Sequence, residues 1–257
     1  MRSRPARRAL MLLSTALVCV AVAAPAVAAP AKPKPKPPAV KVYPGDPKAA
    51  SCTAPKVMSK RDVVYGQDPV RKMVALTFDD GPDPRWTPQV LNILKQRKAK
   101  ATFFVIGENA ARYPALMARI HREGHTVANH TWRHGYADTM SSATLRNDLL
   151  RTSGTIRKTS AQQRICYFRP PGGRHNGVTD ARVKALGMST VMWSVDTQDW
   201  KRPGSLAIRN RAGAARSGDI VLMHDGGGNR SQTVAALPGI LQIYAQRGIR
   251  TVGINGR

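Results

Sequence analysis

Acidic side chains are scarce in this sequence, which has 15 aspartates and glutamates against 41 lysines and arginines and a formal net charge of +26. A field of this size attracts any polyanion. The basic residues are scattered along the chain, however, and no nucleic-acid-binding module is recognisable among them. The composition therefore predicts association with an anionic surface but no specific nucleic acid partner.

Long hydrophobic runs are missing after the first 28 residues. Four arginines precede the apolar run Ala9–Ala24, and Ala26-Val27-Ala28 supplies the small residues that signal peptidase requires. Because the run is short and is interrupted by Ser14 and Thr15, a cleaved secretory signal over residues 1–28 is favoured, with a membrane anchor as the alternative. We expect a secreted protein, either free or associated with the cell wall, with no membrane span after cleavage. Its net charge is +22 once the four arginines are removed.

Cysteine is also rare, with three residues in the chain, and Cys19 would leave with the signal. The remaining pair, Cys52 and Cys166, would then lie in an oxidising compartment. This predicts a disulfide that ties the end of the linker to the domain. Two unrelated buried thiols are the alternative.

Proline and lysine are concentrated in the segment that follows the signal. The linker, residues 29–57, contains the run Lys32-Pro33-Lys34-Pro35-Lys36-Pro37-Pro38. Such a run cannot bury a core, because proline lacks an amide donor and the lysines repel one another, so we expect an extended spacer of polyproline type. Residues 58–257 remain, which is enough for one catalytic domain.

This last segment alternates short apolar runs with longer amphipathic ones, which predicts strands that alternate with helices. The predicted strands are 73–78, 101–106, 126–129, 166–168, 189–194, 219–223 and 250–254. The predicted helices are 88–97, 110–123, 145–158, 178–186, 205–215 and 233–246. The order implies an α/β fold with about seven parallel strands joined by crossover helices.

Polar side chains follow five of these strands at the point where each strand ends. Because the functional loops of parallel strands lie at their carboxyl ends, we expect these side chains to meet at one mouth. They are Asp79, Asp80, His130, His134, Arg169, Asp196, Asp199 and His224.

Two histidines and two adjacent aspartates in this set are suited to metal-assisted hydrolysis. His130 and His134 are four residues apart, a spacing that on a helical turn brings both imidazoles to one face. Together with a carboxylate from Asp80 they would leave an open position, as in a catalytic zinc site, while Asp79 could accept a proton from water. Taken singly, each pattern has an ordinary alternative. The histidine pair could be two surface histidines, and the aspartate pair could be part of a polar turn.

Five motifs occur in order and together resemble those of the NodB-homology polysaccharide deacetylases, carbohydrate esterase family 4. They are Thr77-Phe78-Asp79-Asp80-Gly81-Pro82, His130-Thr131-Trp132-Arg133-His134, Arg169-Pro170-Pro171-Gly172-Gly173, Asp196-Thr197-Gln198-Asp199-Trp200 and Leu222-Met223-His224. The resemblance covers about residues 71–257, and five motifs in one order make it highly specific. It implies a distorted (β/α) barrel with fewer than eight strands.

The resemblance also implies a metal site and a catalytic base. Asp80, His130 and His134 would bind a divalent ion, zinc in the first instance and cobalt as the alternative. Asp79 would accept the proton of the attacking water. Arg169 would pair with Asp79, since a guanidinium held against a carboxylate fixes its orientation and lowers its proton affinity.

On the opposite side of the site, His224 is implied to be the general acid that protonates the departing amine, and Asp199 to orient that imidazole. Four further residues are implied to bind substrate: Pro171, Gly172, Trp200 and Leu222. Of these, Trp200 would wall the sugar groove, Leu222 would line the pocket for the acetyl methyl, and the amide of Gly172 would share the oxyanion with the metal.

One position departs from the family pattern. Members often carry an aromatic or other large residue where this chain has Gly172. Glycine keeps the backbone amide available but removes a wall of the groove. Catalysis should survive, with the substrate contacts either shallower or supplied by other loops.

The function implied is hydrolysis of N-acetyl groups on N-acetylglucosamine residues of peptidoglycan or chitin-type glycans, by a chain expected to be monomeric. Two alternatives remain open. One is O-acetyl ester cleavage on xylan, which the same site could perform. The other is a catalytically silent, cationic cell-wall-binding protein, which the charge and the spacer would suit. In each case the expected electrostatic partners are anionic cell-wall polymers.

Overall fold

The computed structural model describes residues 72–254 apart from Gln163, together with the backbone of two short strands before them. The predicted signal, residues 1–28, and the predicted linker, residues 29–57, lie outside the described residues. Cys52 lies there as well, so the disulfide with Cys166 stays a prediction.

Parallel strands form the centre of the fold. In chain order the strands are β1 (Ser59–Lys60), β2 (Val63–Val64), β3 (Met73–Asp79), β4 (Thr102–Val105), β5 (Thr126–Asn129), β6 (Tyr167–Phe168), β7 (Ser189–Val191), β8 (Val195–Asp196), β9 (Ile220–His224) and β10 (Arg250–Val252). Their order in the sheet is β1-β2-β7-β6-β5-β4-β3-β9-β8, and β10 pairs with β3. Only β1 is antiparallel among these described strands.

The sheet is a curled half-barrel, which confirms the predicted distorted (β/α) barrel. All seven predicted strands are present, as β3, β4, β5, β6, β7, β9 and β10. Four of them, β4, β6, β7 and β10, are shorter than predicted. The largest difference is in the segment 189–194, which forms β7 only as far as Val191. The chain then crosses to the far edge of the sheet and forms the unpredicted strand β8 beside β9.

Seven α-helices are described: α1 (Thr87–Gln96), α2 (Gly107–Arg112), α3 (Pro114–Arg122), α4 (Ser142–Ser160), α5 (Gly177–Ala185), α6 (Ser205–Gly213) and α7 (Ser231–Gln246). The prediction of one helix over 110–123 is wrong, because two helices meet at Tyr113. Pro114 explains the break. It has no amide to continue the hydrogen bonds of α2, but it fits the first turn of a new helix.

Strand β3 shows how the fold aims polar residues into the barrel. Its alternate residues Val74, Leu76 and Phe78 pack in the large cluster that contains the helix side chains. Ala75 belongs instead to the smaller cluster formed by the opposite face of the sheet. Because strand side chains alternate, Thr77 and Asp79 share the face of Ala75 and extend from the barrel interior to its mouth.

The register of β3 also places two predicted catalytic residues side by side. Its last residue, Asp79, is paired with Phe104 of β4 on one side and with His224 of β9 on the other. The β10 strand pairs with the first half of β3, far from this end. Within the described part of the chain, the helices are all too short or too polar to cross a membrane.

Candidate active site

Three potential metal ligands meet at the mouth of the half-barrel. Donor atoms of Asp80, His130 and His134 all lie within 4.8 Å of one another. Oδ1 of Asp80 is 3.5 Å from Nε2 of His130 and 3.3 Å from Nε2 of His134. This oxygen is buried and has no hydrogen-bond partner among the described residues. A buried carboxylate oxygen left in this state is costly unless a cation binds it, so the site fits a divalent metal ion.

The tautomer of His130 supports the same interpretation. Its Nδ1 lies 2.8 Å from the carbonyl oxygen of Arg169. A carbonyl can only accept, so Nδ1 carries a proton and Nε2, which faces Asp80, is the ring nitrogen that can bind a metal. The pKa of His134 is lowered, first by burial and then by the neighbouring imidazole of His130, which favours the neutral form of His134 that can bind a metal.

The two histidines reach this position by a route different from the predicted helical turn. Residues 130–134 form an irregular bend in which Thr131 and His134 have φ angles of 65° and 56°. The amide of Thr131 donates to the side chain of Asn129, which steadies the bend at the end of β5. The helical expectation was wrong, yet the rings still meet, with centroids 5.1 Å apart.

Asp80 is held by a glycine-rich loop that follows β9. Its own φ of 73° is in the left-handed region. A Cβ added to Gly226 would overlap the carbonyl of Asp80, and one added to Gly227 would overlap its carboxylate. The guanidinium of Arg230 donates to the carbonyls of both glycines, at 2.6 and 3.2 Å. The loop therefore fits closely around the metal-ligand candidate.

The pKa of Asp80 is held well below its usual range. Burial alone would raise it, but the electrostatic interactions with the nearby imidazoles of His130, His224 and His134 outweigh burial. A carboxylate that stays ionised is what a metal ligand requires.

Asp79 forms a buried ion pair with Arg169. Nη1 of Arg169 lies 2.8 Å from Oδ1 of Asp79, and the arginine is fully buried. The other donors of this guanidinium reach Thr77 Oγ1 at 2.8 Å and two backbone carbonyls, those of Val191 at 3.1 Å and Met192 at 2.9 Å. The pairing implied by the resemblance is thus present, and it leaves Oδ2 of Asp79 on the side of the metal-ligand candidates.

His224 and Asp199 form a second ion pair across the site. Nδ1 of His224 is 2.7 Å from Oδ1 of Asp199, whose Oδ2 accepts from the amide of His224 at 2.9 Å and from Thr233 at 2.7 Å. Burial would lower the pKa of His224, but Asp199 outweighs burial and raises it. Burial would likewise raise the pKa of Asp199, but His224 lowers it. The pair is therefore built to hold an imidazolium.

These groups open into one cleft of about 450 Å³. Its wall includes three of the four residues predicted to bind substrate, which are Gly172, Trp200 and Leu222. Trp200 is 51% exposed. The fourth, Pro171, is buried in the turn that carries Gly172, and Pro170 lines the cleft instead. Asp196 also lines it.

Several residues around the site were not predicted from the sequence. Asp225 is fully buried, donates its amide to the carbonyl of Asp79 at 3.1 Å, and accepts from Thr87 at 2.5 Å. Burial, with the neighbouring aspartates, raises its pKa to about 7. Arg230, Tyr136 and Trp193 line the cleft. The chain shows one signal that could have pointed to this region, the run of three glycines that begins at Gly226.

Known proteins are similar to this chain in sequence and in fold. Residues 66–191 match the polysaccharide deacetylase family. A peptidoglycan-N-acetylglucosamine deacetylase from Bacillus cereus is 46% identical over 187 residues, covering 72% of this chain and 87% of that protein.

Solved structures agree with this assignment. The Bc1960 peptidoglycan N-acetylglucosamine deacetylase, solved with a hydroxamate-type benzamide, superposes with a TM-score of 0.72 at 34% identity, covering 75% of this chain and 90% of that one. BA3943 from Bacillus anthracis, described as a pseudoenzyme of carbohydrate esterase family 4, superposes with a TM-score of 0.70 at 30% identity, covering 76% and 68%. With the fold, the site and these relatives in agreement, the chain belongs to the NodB-homology polysaccharide deacetylases of carbohydrate esterase family 4.

Proposed function

We propose that this protein is a metal-dependent hydrolase that removes acetyl groups from N-acetylglucosamine residues of a wall glycan, with peptidoglycan as the first candidate and chitin-type chains as the second. One observation carries the proposal. The Asp80, His130 and His134 donors lie together in one cleft with a buried carboxylate, Asp79, and a half-buried histidine, His224. The similarity to a peptidoglycan-N-acetylglucosamine deacetylase supports the choice of substrate.

The residues divide the work of amide hydrolysis. Asp80, His130 and His134 would hold a divalent ion, zinc or alternatively cobalt, which when bound polarises the acetyl carbonyl and acidifies a neighbouring water. Asp79 accepts a proton from that water at its free Oδ2, because Arg169 occupies Oδ1. The ion pair with Arg169 also fixes the direction in which the carboxylate faces the site.

His224 supplies the proton that the leaving amine needs. An amine leaves poorly unless it is protonated, so amide hydrolysis needs an acid on the side of the leaving group. With Nδ1 bound to Asp199, Nε2 of His224 is the atom that can donate into the cleft. The raised pKa of His224 keeps the imidazole protonated to higher pH than an unpaired histidine.

The cleft wall provides the substrate contacts. Leu222 offers an apolar surface next to the site, which suits the acetyl methyl, and Trp200 offers an exposed ring for a sugar. The turn that carries Gly172 presents backbone without a side chain, which suits an amide donor to the developing oxyanion.

Export is a separate part of the proposal. The arginines and apolar run of residues 1–28 favour secretion, and the excess of basic residues favours retention on anionic wall polymers. Amino-terminal sequencing of protein recovered from the culture medium tests cleavage after Ala28. A mature protein that still begins at Met1 would exclude it.

The activity is tested by measuring acetate release from peptidoglycan, N-acetylglucosamine oligomers and acetylxylan, with and without a chelator. We expect release from the N-acetylated glycans, loss with chelator and recovery with zinc or cobalt. Preferential release from acetylxylan would favour the esterase alternative. No release from any acetylated glycan with either metal present would favour the silent wall-binding alternative.

Two variants separate the metal site from the base. Asp79→Ala should lower kcat by about a hundredfold or more while leaving bound metal near normal. His130→Ala should lose both activity and metal, because it removes a ligand. Metal loss with Asp79→Ala and normal metal with His130→Ala would reverse the assigned roles.

A further inference from the structure

The exposed aromatic ring of Tyr136 lies in the cleft wall beside Gly172, the position that has no side chain. Four large hydrophobic residues are exposed in the described part of the chain: Tyr136, Val178, Trp200 and Leu206. Only Tyr136 and Trp200 of these four line the cleft. Tyr136 is 45% exposed and lines the same cleft as the metal-ligand candidates. A large exposed ring at this place points to a ligand surface.

The ring of Tyr136 fills the space beside Gly172. A Cβ added to Gly172 would come within 3.2 Å of Cε1 of Tyr136. Gly172 also has a φ of 62°, which disfavours a larger residue. The missing wall at position 172 is therefore replaced from another loop, the one that follows His134.

Arg174 holds the ring in place. Its Cζ lies 4.6 Å from the centroid of the Tyr136 ring, and its guanidinium contacts Oδ2 of Asp138 at 3.0 and 3.1 Å. This cation–π contact covers one face of the ring. The ion pair fixes the guanidinium of Arg174 to Asp138, which is two residues after Tyr136 in the chain. Trp200 has a similar arrangement, with Nζ of Lys201 4.9 Å from its ring. Each of the two exposed rings thus has a cation on one face and surface left for a ligand.

We propose that Tyr136 is a substrate-binding residue that stacks on a pyranose ring of the glycan at a position next to the sugar being deacetylated. The proposal rests on the proposed function, since it names a subsite of the same cleft. The C–H face of an N-acetylhexosamine is apolar, and it gains by leaving water for an aromatic surface that is already held in position. The ligand class is a β-linked N-acetylhexosamine chain of at least two sugars.

The test compares Tyr136→Ala, Tyr136→Phe and Leu206→Ala for acetate release from an N-acetylglucosamine pentamer with zinc present. Tyr136→Ala should raise KM about tenfold, equivalent to about 1.4 kcal/mol, with the effect mainly on KM. Tyr136→Phe keeps the ring and should stay within about twofold of the wild type. Leu206→Ala is the matched control, because this exposed side chain on α6 is outside the cleft.

Metal content is measured for each variant, because Tyr136 lies two residues from His134. Normal metal with a raised KM for Tyr136→Ala supports the subsite. An unchanged KM, or a loss of activity that follows a loss of metal with KM unchanged, would overturn it.

A binding experiment separates this inference from the proposed function. Titration calorimetry measures the affinity for the pentamer of two proteins, the single variant Asp79→Ala and the double variant Asp79→Ala/Tyr136→Ala. This measurement needs no turnover. If the wild type releases no acetate but the second substitution weakens pentamer binding about tenfold, the subsite stands and the proposed reaction fails. Equal affinity of the two variants overturns the subsite even where the wild type is active.

Discussion

Replacing Arg169 by methionine should destabilise the fold chiefly by leaving a charge unpaired. The side chain is fully buried and donates to Asp79, Thr77 and two backbone carbonyls. Thr77 Oγ1 keeps its own hydrogen bond to Val221, but Asp79 loses its cation and the carbonyls of strand β7 and its extension lose a donor. Removing one partner of a buried ion pair costs about 3–5 kcal/mol, and each stranded carbonyl adds about 1 kcal/mol.

Because whole domains are stable by only about 5–15 kcal/mol, a loss of roughly 5–7 kcal/mol should bring Arg169→Met close to unfolding. Urea denaturation in the presence of a chelator measures this without a contribution from metal binding. Arg169→Lys should lose less, since an ammonium still neutralises Asp79 but has three donors for four acceptors.

The decisive control is Arg169→Met in an Asp79→Asn background. If the unpaired charge of Asp79 dominates, Arg169→Met should lower the free energy of unfolding less in the Asp79→Asn background than in the wild type. The coupling free energy between the two positions should be about 2 kcal/mol or more. Additive losses in the double variant, or an Arg169→Met protein as stable as the wild type, would refute the reasoning.

Three further predictions concern proton transfer, metal binding and charge. In Asp199→Asn, burial acts on His224 without the opposing carboxylate of Asp199, so the pKa of His224 falls. Activity that needs the imidazolium is lost as pH rises through that pKa. The alkaline limb of the kcat/KM profile should therefore move to lower pH. An unmoved limb would exclude His224 as the acid. Gly227→Ala places a methyl against the Asp80 carboxylate and should weaken zinc affinity about tenfold or more in equilibrium titrations, whereas Gly154→Ala, in open space on α4, should leave it unchanged. Equal affinities would show that the loop does not position the ligand. Retention on purified anionic wall polymer should fall steeply between low and physiological salt, and salt-independent retention would rule out an electrostatic interaction.

Local patterns predicted much of this fold because they record local physics. The composition of the apolar run before Asp79 predicts a strand. The alternation of strands and helices implies parallel pairing without knowledge of the strand order. The motifs located Asp80, His130 and His134 for the same reason, since a metal ligand must be a particular residue type at a particular strand end. The break at Pro114 was also visible, but the amphipathic spacing on both sides of it favoured a single helix.

Contacts between distant segments could not be predicted in this way. The sequence by itself determined which chemical groups are present and which strand ends carry them. Only the tertiary structure decided that Asp79 and His224 are neighbours in register, that the loop after β9 encloses Asp80, and that Tyr136 fills the space beside Gly172. These depend on strand order and on the curl of the sheet, which follow from how all the elements bury their apolar faces together rather than from any one segment.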